Sequence, residues 1–346
     1  MEPSGALLLV ALVLPWLLAL LLAAGSSRLA DRADPRLVVR LVPAAAVATA
    51  TACGFSLSVV ALLLLSHAAQ LARLGRWSAA ALPEHAVPWA WGLSVAAAVA
   101  VLLASALTHA ARVAHRLWLA EATCRDLAVR PAHAPALEAL PGLAGGGSVE
   151  ACTVVAADEP DAYAVPGLRG CIVVSSGMLA ALTPPQRRAL LAHEGSHLTH
   201  RHHLWIQATE VAAAANPLLR RLPAVVRSAG EREADLDAVR AVGDAAVAAG
   251  AIASAALARS RFRRSVPPVR ELRLAATGGD VVRRVDLLLH ARPPRGARAA
   301  AGALVAVTVA AVLSSGASAG LTHEHFETVQ LTAALVHAPV PRGLAD

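Results

Sequence analysis

His193-Glu194-Gly195-Ser196-His197 reads H-E-x-x-H, and the residues before it favour a helix. Side chains four apart on a helix stand one above the other on the same face. The two imidazoles can therefore reach one metal ion, and Glu194 can face a water bound to that metal. This is the donor set of a zinc hydrolase, two histidine ligands and a carboxylate general base, and such a site cuts peptide bonds. The plain alternative is a helix with two surface histidines, so the surrounding elements decide.

Thr183-Pro184-Pro185-Gln186 supplies a helix start: Thr183 as N-cap, Pro184 at the first position, and Gln186 closing a capping box. The helix predicted from Pro184 to about His200 carries the motif, and Ala189, Leu190 and Leu191 make it partly buried. Strand-like stretches precede it at Ala151–Val155, Ala162–Val165 and Cys171–Val174, with a Pro166-Gly167 turn between the last two. A second helix is predicted from His202 to Ala215, ending at Asn216-Pro217. A third is predicted after Gly230 and a fourth, Ala-rich, from Ala245 to Arg259. Pro131 to Gly147 reads as a linker.

A catalytic zinc site keeps three protein ligands and one open position. Beyond His193 and His197, the candidates are His200, His202, His203, Glu210, Glu231 and Glu233. His200 is too close to His197 to spread the ligands. His202 and His203 fall where a helix C-terminal dipole would favour them. Glu231 and Asp235, four apart on a predicted helix, point one way. Glu231 can ligate zinc while Asp235 accepts a hydrogen bond from the far nitrogen of a ligating histidine. Glu233 and Asp237 read as a solvated face.

Hydrophobic residues make up 56% of the 346, too many for an ordinary soluble protein, and they lie in blocks. Gly5–Gly25, Leu41–Ala72, Ala86–Thr108 and Ala299–Thr322 carry no fixed charge, and each exceeds the roughly 20 residues needed to cross a bilayer. Four transmembrane helices are expected. The first lacks the basic start of a signal peptide and is read as retained. Arginines cluster at 28–40, 112–116 and 292–298, while the segment between the second and third spans holds only Arg73 and Arg76. The positive-inside rule then places the long 110–298 segment in the cytoplasm. The net charge of +7 is largely explained by these membrane edges, and nothing points to nucleic acid. The stretch Arg259–Arg264 reads as a solvated face or a contact with anionic lipid. Cys53, Cys124, Cys152 and Cys171 form no C-x-x-C pair and read as small buried hydrophobes. His323-Glu324-His325 reads as a solvated tail rather than a metal contact, and His109 and His115 as interfacial.

Asp161-Ala-Tyr-Ala-Val-Pro-Gly167, Ile172-Val-Val-Ser-Ser-Gly177, Leu190-Leu-Ala-His-Glu-Gly-Ser-His-Leu198, Asn216-Pro217 and Glu231-Arg-Glu-Ala-Asp235 follow in one order. That order, over about residues 110 to 265, resembles the integral-membrane zinc metalloproteases of the BlaR/MecR type and the related HtpX-type enzymes. The resemblance implies a mostly α membrane protein with a cytoplasmic α+β zincin-like domain of gluzincin type between the third and fourth spans. The expected organisation is three spans in 1–109 (about 5–25, 43–66 and 87–108), the metalloprotease domain at 110–298, a fourth span at 299–320 and a short extracytoplasmic tail at 321–346. It also implies one Zn2+ held by His193, His197 and Glu231, with Glu194 as base and Asp235 as companion. BlaR/MecR receptors carry an extracellular β-lactam-binding domain after the last span. Only about two dozen residues follow it here, so antibiotic sensing is not carried over.

The expected partners are the lipid bilayer and a protein or peptide substrate. The substrate is a cytoplasmic repressor if the BlaR/MecR resemblance leads, or damaged membrane protein if the HtpX resemblance leads. Arg227 and Arg232 are candidates to stabilise the oxyanion. The strand of Tyr163 or of Ile172 offers an edge for an extended peptide. The competing function is a non-catalytic membrane transducer with a structural zinc site, against which an intact Glu194 argues.

Overall fold

A computed structural model describes residues 3–66, 68, 71, 73, 88–129, 152–167, 170–265, 278–290 and 297–336. The expected 131–147 linker and Arg76, Arg292 and Arg295 lie outside the described residues. The chain is mostly helical. α1 (Pro3–Arg32), α2 (Pro35–Leu65) and α3 (Trp89–Val129) come first, then β1 (Cys152–Val155), β2 (Ala162–Val165) and β3 (Cys171–Ser175). There follow α4 (Ser176–Ala180), α5 (Pro184–Thr199), α6 (His202–Ala215), a 3-10 turn (Pro217–Leu219), α7 (Leu222–Val242), α8 (Ala245–Ser265), α9 (Gly278–Leu289) and α10 (Ala297–Val336).

Four helices, α1, α2, α3 and α10, are long and apolar enough to cross a membrane. On α3, Trp89 and Trp91 at its start and Trp118, eleven residues before its end, are exposed. At 1.5 Å per residue these are about 43 Å apart, the thickness of a bilayer with its interfaces, and tryptophan favours both interfaces. The α1–α2 turn is held by Asp34, whose carboxylate accepts from the Arg36 N–H at 2.9 Å. Between the apolar helices, the Ser56 hydroxyl donates to the Leu12 carbonyl at 2.7 Å and that of Ser314 to the Ala11 carbonyl at 2.5 Å. Such bonds join helices where apolar surface alone gives little preference for association.

The apolar base of α2 is also where the motif-bearing helices dock. Val38, Val39, Val42, Ala45 and Ala46 of α2 form one buried cluster with Ala212 of α6, Leu219, and Leu222, Val225, Val226 and Ala229 of α7. Asn216, itself buried, turns the chain between α6 and α7, its side chain accepting from the Leu218 N–H at 3.1 Å. The landmark Asn216-Pro217 thus has a structural role. α7 packs in turn on α5, and α8 packs on both.

The sheet order is β1-β3-β2, with β1 parallel and β2 antiparallel to β3. β3 is central and buried along its length. The Ile172 strand therefore has no free edge, contrary to one of the sequence expectations, whereas the Tyr163 strand is an edge strand.

Three other elements differ from expectation. α7 starts at Leu222, not after Gly230: the helix runs through the glycine, over which the His202 ring lies with its Cγ 3.5 Å from where a Cβ would stand. α9 was not predicted; it packs on α8 and α7. α10 continues to Val336, past the expected end of the span, and on it His323 pairs with Glu327 at 3.2 Å. All four cysteines are free thiols. Burial raises Cys152 to about 11 and Cys171 to about 12, so both stay protonated at neutral pH.

Candidate metal centre

α5 begins where the capping signal placed it, with the Gln186 side chain accepting from the Thr183 N–H at 3.0 Å. Its next turns point His193 and His197 at α7. His193 Nε2 lies 3.2 Å from His197 Nε2 and 3.6 Å from Glu231 Oε2, and His197 Nε2 lies 3.6 Å from Glu231 Oε1. Donors bonded at about 2.0–2.1 Å to one tetrahedral zinc ion stand about 3.3–3.4 Å apart. The three side chains fit that geometry, and among the described residues no other cluster of three such donors converges as closely.

The two histidines are held from behind in different ways. Behind His193, Nδ1 lies 3.0 Å from Asp235 Oδ1. Behind His197, Nδ1 lies 2.9 Å from His202 Nδ1, and His202 Nε2 lies 3.1 Å from Glu233 Oε2. Proton positions follow from this chain. With His197 ligating through Nε2, its Nδ1–H donates to His202 Nδ1; the His202 proton is then on Nε2 and donates to Glu233. His202 is 1% exposed and Glu233 0%. The expectation of a solvated Glu233 and a dipole-associated His202 is thus corrected. The reason is packing: that face of α7 is covered by α6 and by the base of α2, where Arg36 and Arg40 reach Glu233 Oε1 at 3.8 and 3.7 Å. Asp237 is half-buried, accepting from Ser196 Oγ at 2.7 Å and contacting His200 at 2.9 Å. That contact turns His200 away from the metal cluster.

Arg284 of α9 was missed by sequence reading. Its Nη1 lies 2.9 Å from Glu231 Oε2, and its Nε and Nη2 donate to the two oxygens of Asp235 at 2.8 and 2.5 Å. No local motif marks it, because it arrives from a separate helix. The expected Arg227 instead pairs with Glu210 at 2.7 Å, and His109 lies 3.4 Å from the same carboxylate. This removes Glu210 from the ligand candidates. Breaking a buried ion pair from one side costs about 3–5 kcal/mol. Arg284→Ala should lower the thermal stability of the chelated protein in detergent by that order. Arg284→Lys should not restore it, since an ammonium lacks the fork that spans two carboxylates.

Charge in the metal-free cluster follows from burial and proximity. Burial opposes a charge on His193, but Asp235 and Glu231 outweigh it and raise it to about 10. Burial, then the His193 charge, lowers His197 to about 3. Glu231 is held well below the usual carboxylate range: burial works against this, and His193 overcomes it. Burial raises Glu194. The raised His193 stabilises the metal-free fold fully below pH about 6.5, and that gain is lost as pH rises toward 10. The lowered His197 acts oppositely, weakening the fold as pH falls from about 6.5 toward 3. Zinc must displace the His193 proton. Calorimetry in buffers of differing ionisation enthalpy should therefore show about one more proton released per zinc at pH 8 than zinc-bound water supplies. A site of ordinary histidines would release only that water proton.

Glu194 lies beside the sheet edge, its Oε2 accepting from the Ala164 N–H of β2 at 3.0 Å. Arg259 donates to the neighbouring Ala162 carbonyl at 2.9 Å and pairs with Asp161 at 3.3 Å. Arg259 thus clamps the edge strand rather than facing solvent or lipid as expected. Two histidines and a carboxylate converge, and a further carboxylate, Glu194, joins them to the edge strand β2. Residues 143–266 match the model for Peptidase family M48. The M48 match includes the sheet, α5, α7 and all the donors, and leaves Arg284 and the four apolar helices outside it. No curated protein and no solved structure matches the chain. The segment that matches family M48 is thus flanked by helices long and apolar enough to cross a membrane.

Proposed function

We propose that the chain is a membrane-anchored zinc endopeptidase with its site on the cytoplasmic side. The observation that carries this is the convergence of His193, His197 and Glu231 at 3.2–3.6 Å within the segment that matches family M48. His193, His197 and Glu231 would hold the zinc ion, Asp235 would orient His193, and Glu194 would be the general base. The bound ion supplies Lewis-acid polarisation and lowers the pKa of water toward neutrality. Glu194 takes a proton from the attacking water and returns it to the leaving amine. Its burial, which raises its affinity for that proton, suits the first step. Arg284 holds Glu231 and Asp235 in place, and α5 and β2 present Glu194 beside the edge where an extended peptide can lie.

The arginines at 28–40 and 112–116 support the cytoplasmic placement. The narrower likeness to BlaR/MecR receptors favours a cytoplasmic regulator as substrate, and that to HtpX-type enzymes favours membrane proteins under quality control. Chelation should abolish cleavage of an unstructured peptide by the reconstituted protein, and stoichiometric zinc should restore it. Cleavage that survives full removal of metal would overturn the proposal.

A further inference from the structure

Outside the metal cluster, a pocket lies where α2 meets the turn between α5 and α6. It has a volume of about 490 Å3 and is lined by Arg40, Thr199, His200, Arg201, Leu204, Trp205 and Ala208. The lining divides in two. Arg40 and Arg201 form a basic end beside His200, which faces Asp237, while Leu204, Trp205 and Ala208 form an apolar wall. Trp205 and Leu41, at which the charge-free run of α2 begins, both pack against the buried cluster at the base of α2. Leu204 is 41% exposed although it is large and apolar. The pocket therefore straddles the level at which α2 changes from charged to apolar.

Arg201 adds an independent observation. It is the one non-glycine residue with a positive φ among the described residues, at 52°. A side chain other than glycine, asparagine or aspartate rarely takes that conformation, and such backbone outliers cluster at functional sites. Arg201 has no ion-pair partner among the described residues. Among the described residues, Arg40 pairs only with Glu233, at 3.7 Å, and a guanidinium carries five donors.

We infer that this pocket binds the phosphate of an anionic phospholipid. Arg40 and Arg201 would take the phosphate oxygens, and Leu204 and Trp205 would meet the glycerol and upper acyl chain. The chemistry shared with a soluble phosphate is the anion, and the apolar wall favours the lipid. Basic pockets between membrane helices recognise headgroups in this way, and tryptophan marks the same depth. The inference rests on the membrane placement proposed above. It also gives Arg40 two neighbours, the lipid on one side and Glu233 on the other. Through Glu233 and His202 it touches the ligand His197.

The full chain is first reconstituted into nanodiscs of neutral phosphatidylcholine. Failure to incorporate would count against the membrane reading before any headgroup is counted. Binding of labelled phosphatidylglycerol is then measured against wild type, Arg40→Gln, Arg201→Gly and the double variant. Arg201→Gly removes the guanidinium while accepting the positive φ, so its fold is expected to be retained, as checked by thermal unfolding. Each single change should weaken phosphatidylglycerol binding about fivefold and the pair about 25-fold, near the loss expected for one basic contact each. Inorganic phosphate should compete only at millimolar concentration. Equal binding by wild type and a folded double variant would overturn the site. Displacement by micromolar phosphate would overturn the lipid in favour of a soluble anion.

Discussion

Glu194→Gln is expected to lower peptide cleavage by about 10^2–10^4-fold, the range that a positioned general base contributes, while zinc content stays that of wild type. The substitution keeps shape and one carbonyl oxygen, so the bond from the Ala164 N–H at 3.0 Å can persist. What is lost is a group able to take a proton from water and hand it to the leaving amine. His193, His197 and Glu231 do not depend on Glu194 for their arrangement: their close contacts are with one another, Asp235, His202 and Arg284. Rate and metal content should therefore separate. A Glu194→Gln protein that binds zinc and cleaves at the wild-type rate would remove Glu194 from the mechanism.

The second large effect concerns His202, which touches no metal position yet holds the ligand His197 at 2.9 Å. His202→Phe fills the same buried space and removes both ring nitrogens. His197 then has no acceptor for its Nδ1–H, and the fully buried Glu233 loses its 3.1 Å contact. Loss of a group that orients a ligating histidine typically costs about 10–100-fold in metal affinity. That drop is expected in chelator competition. Glu233→Gln keeps an acceptor for His202 and removes the buried charge, so its zinc affinity should fall less than that of His202→Phe. The double variant should be more stable without metal than His202→Phe alone, since the stranded carboxylate is gone. Unchanged zinc affinity in His202→Phe would show that packing alone sets the His197 ring.

The convergence of His193, His197 and Glu231 was legible because it rests on local rules. His193 and His197 are one helical turn apart, as are Glu231 and Asp235, and the Thr183–Gln186 cap announces the helix that carries the first pair. The four apolar helices were legible from length and charge. The back of the site was not legible. α7 bears carboxylates on opposite faces, and a helix charged all round reads as solvated. It is in fact sandwiched, with Glu231 and Asp235 toward α5 and Glu233 toward His202 and the arginines of α2. Only the packing of distant segments reveals this, since Arg36 and Glu233 lie far apart in sequence. Arg284 escaped for the same reason: one arginine among many becomes a site residue only when α9 docks. Gly230, a usual helix breaker, suggested a boundary where the chain continues.

Zinc analysis of purified wild type against Glu231→Ala, with peptide hydrolysis assayed on the same samples, is the most direct test of a three-ligand peptidase site. Wild type should hold one zinc ion per chain and cleave. Glu231→Ala, keeping only His193 and His197, should hold well below one and lose cleavage. A Glu231→Ala protein with full zinc content and undiminished hydrolysis would contradict the site at its centre.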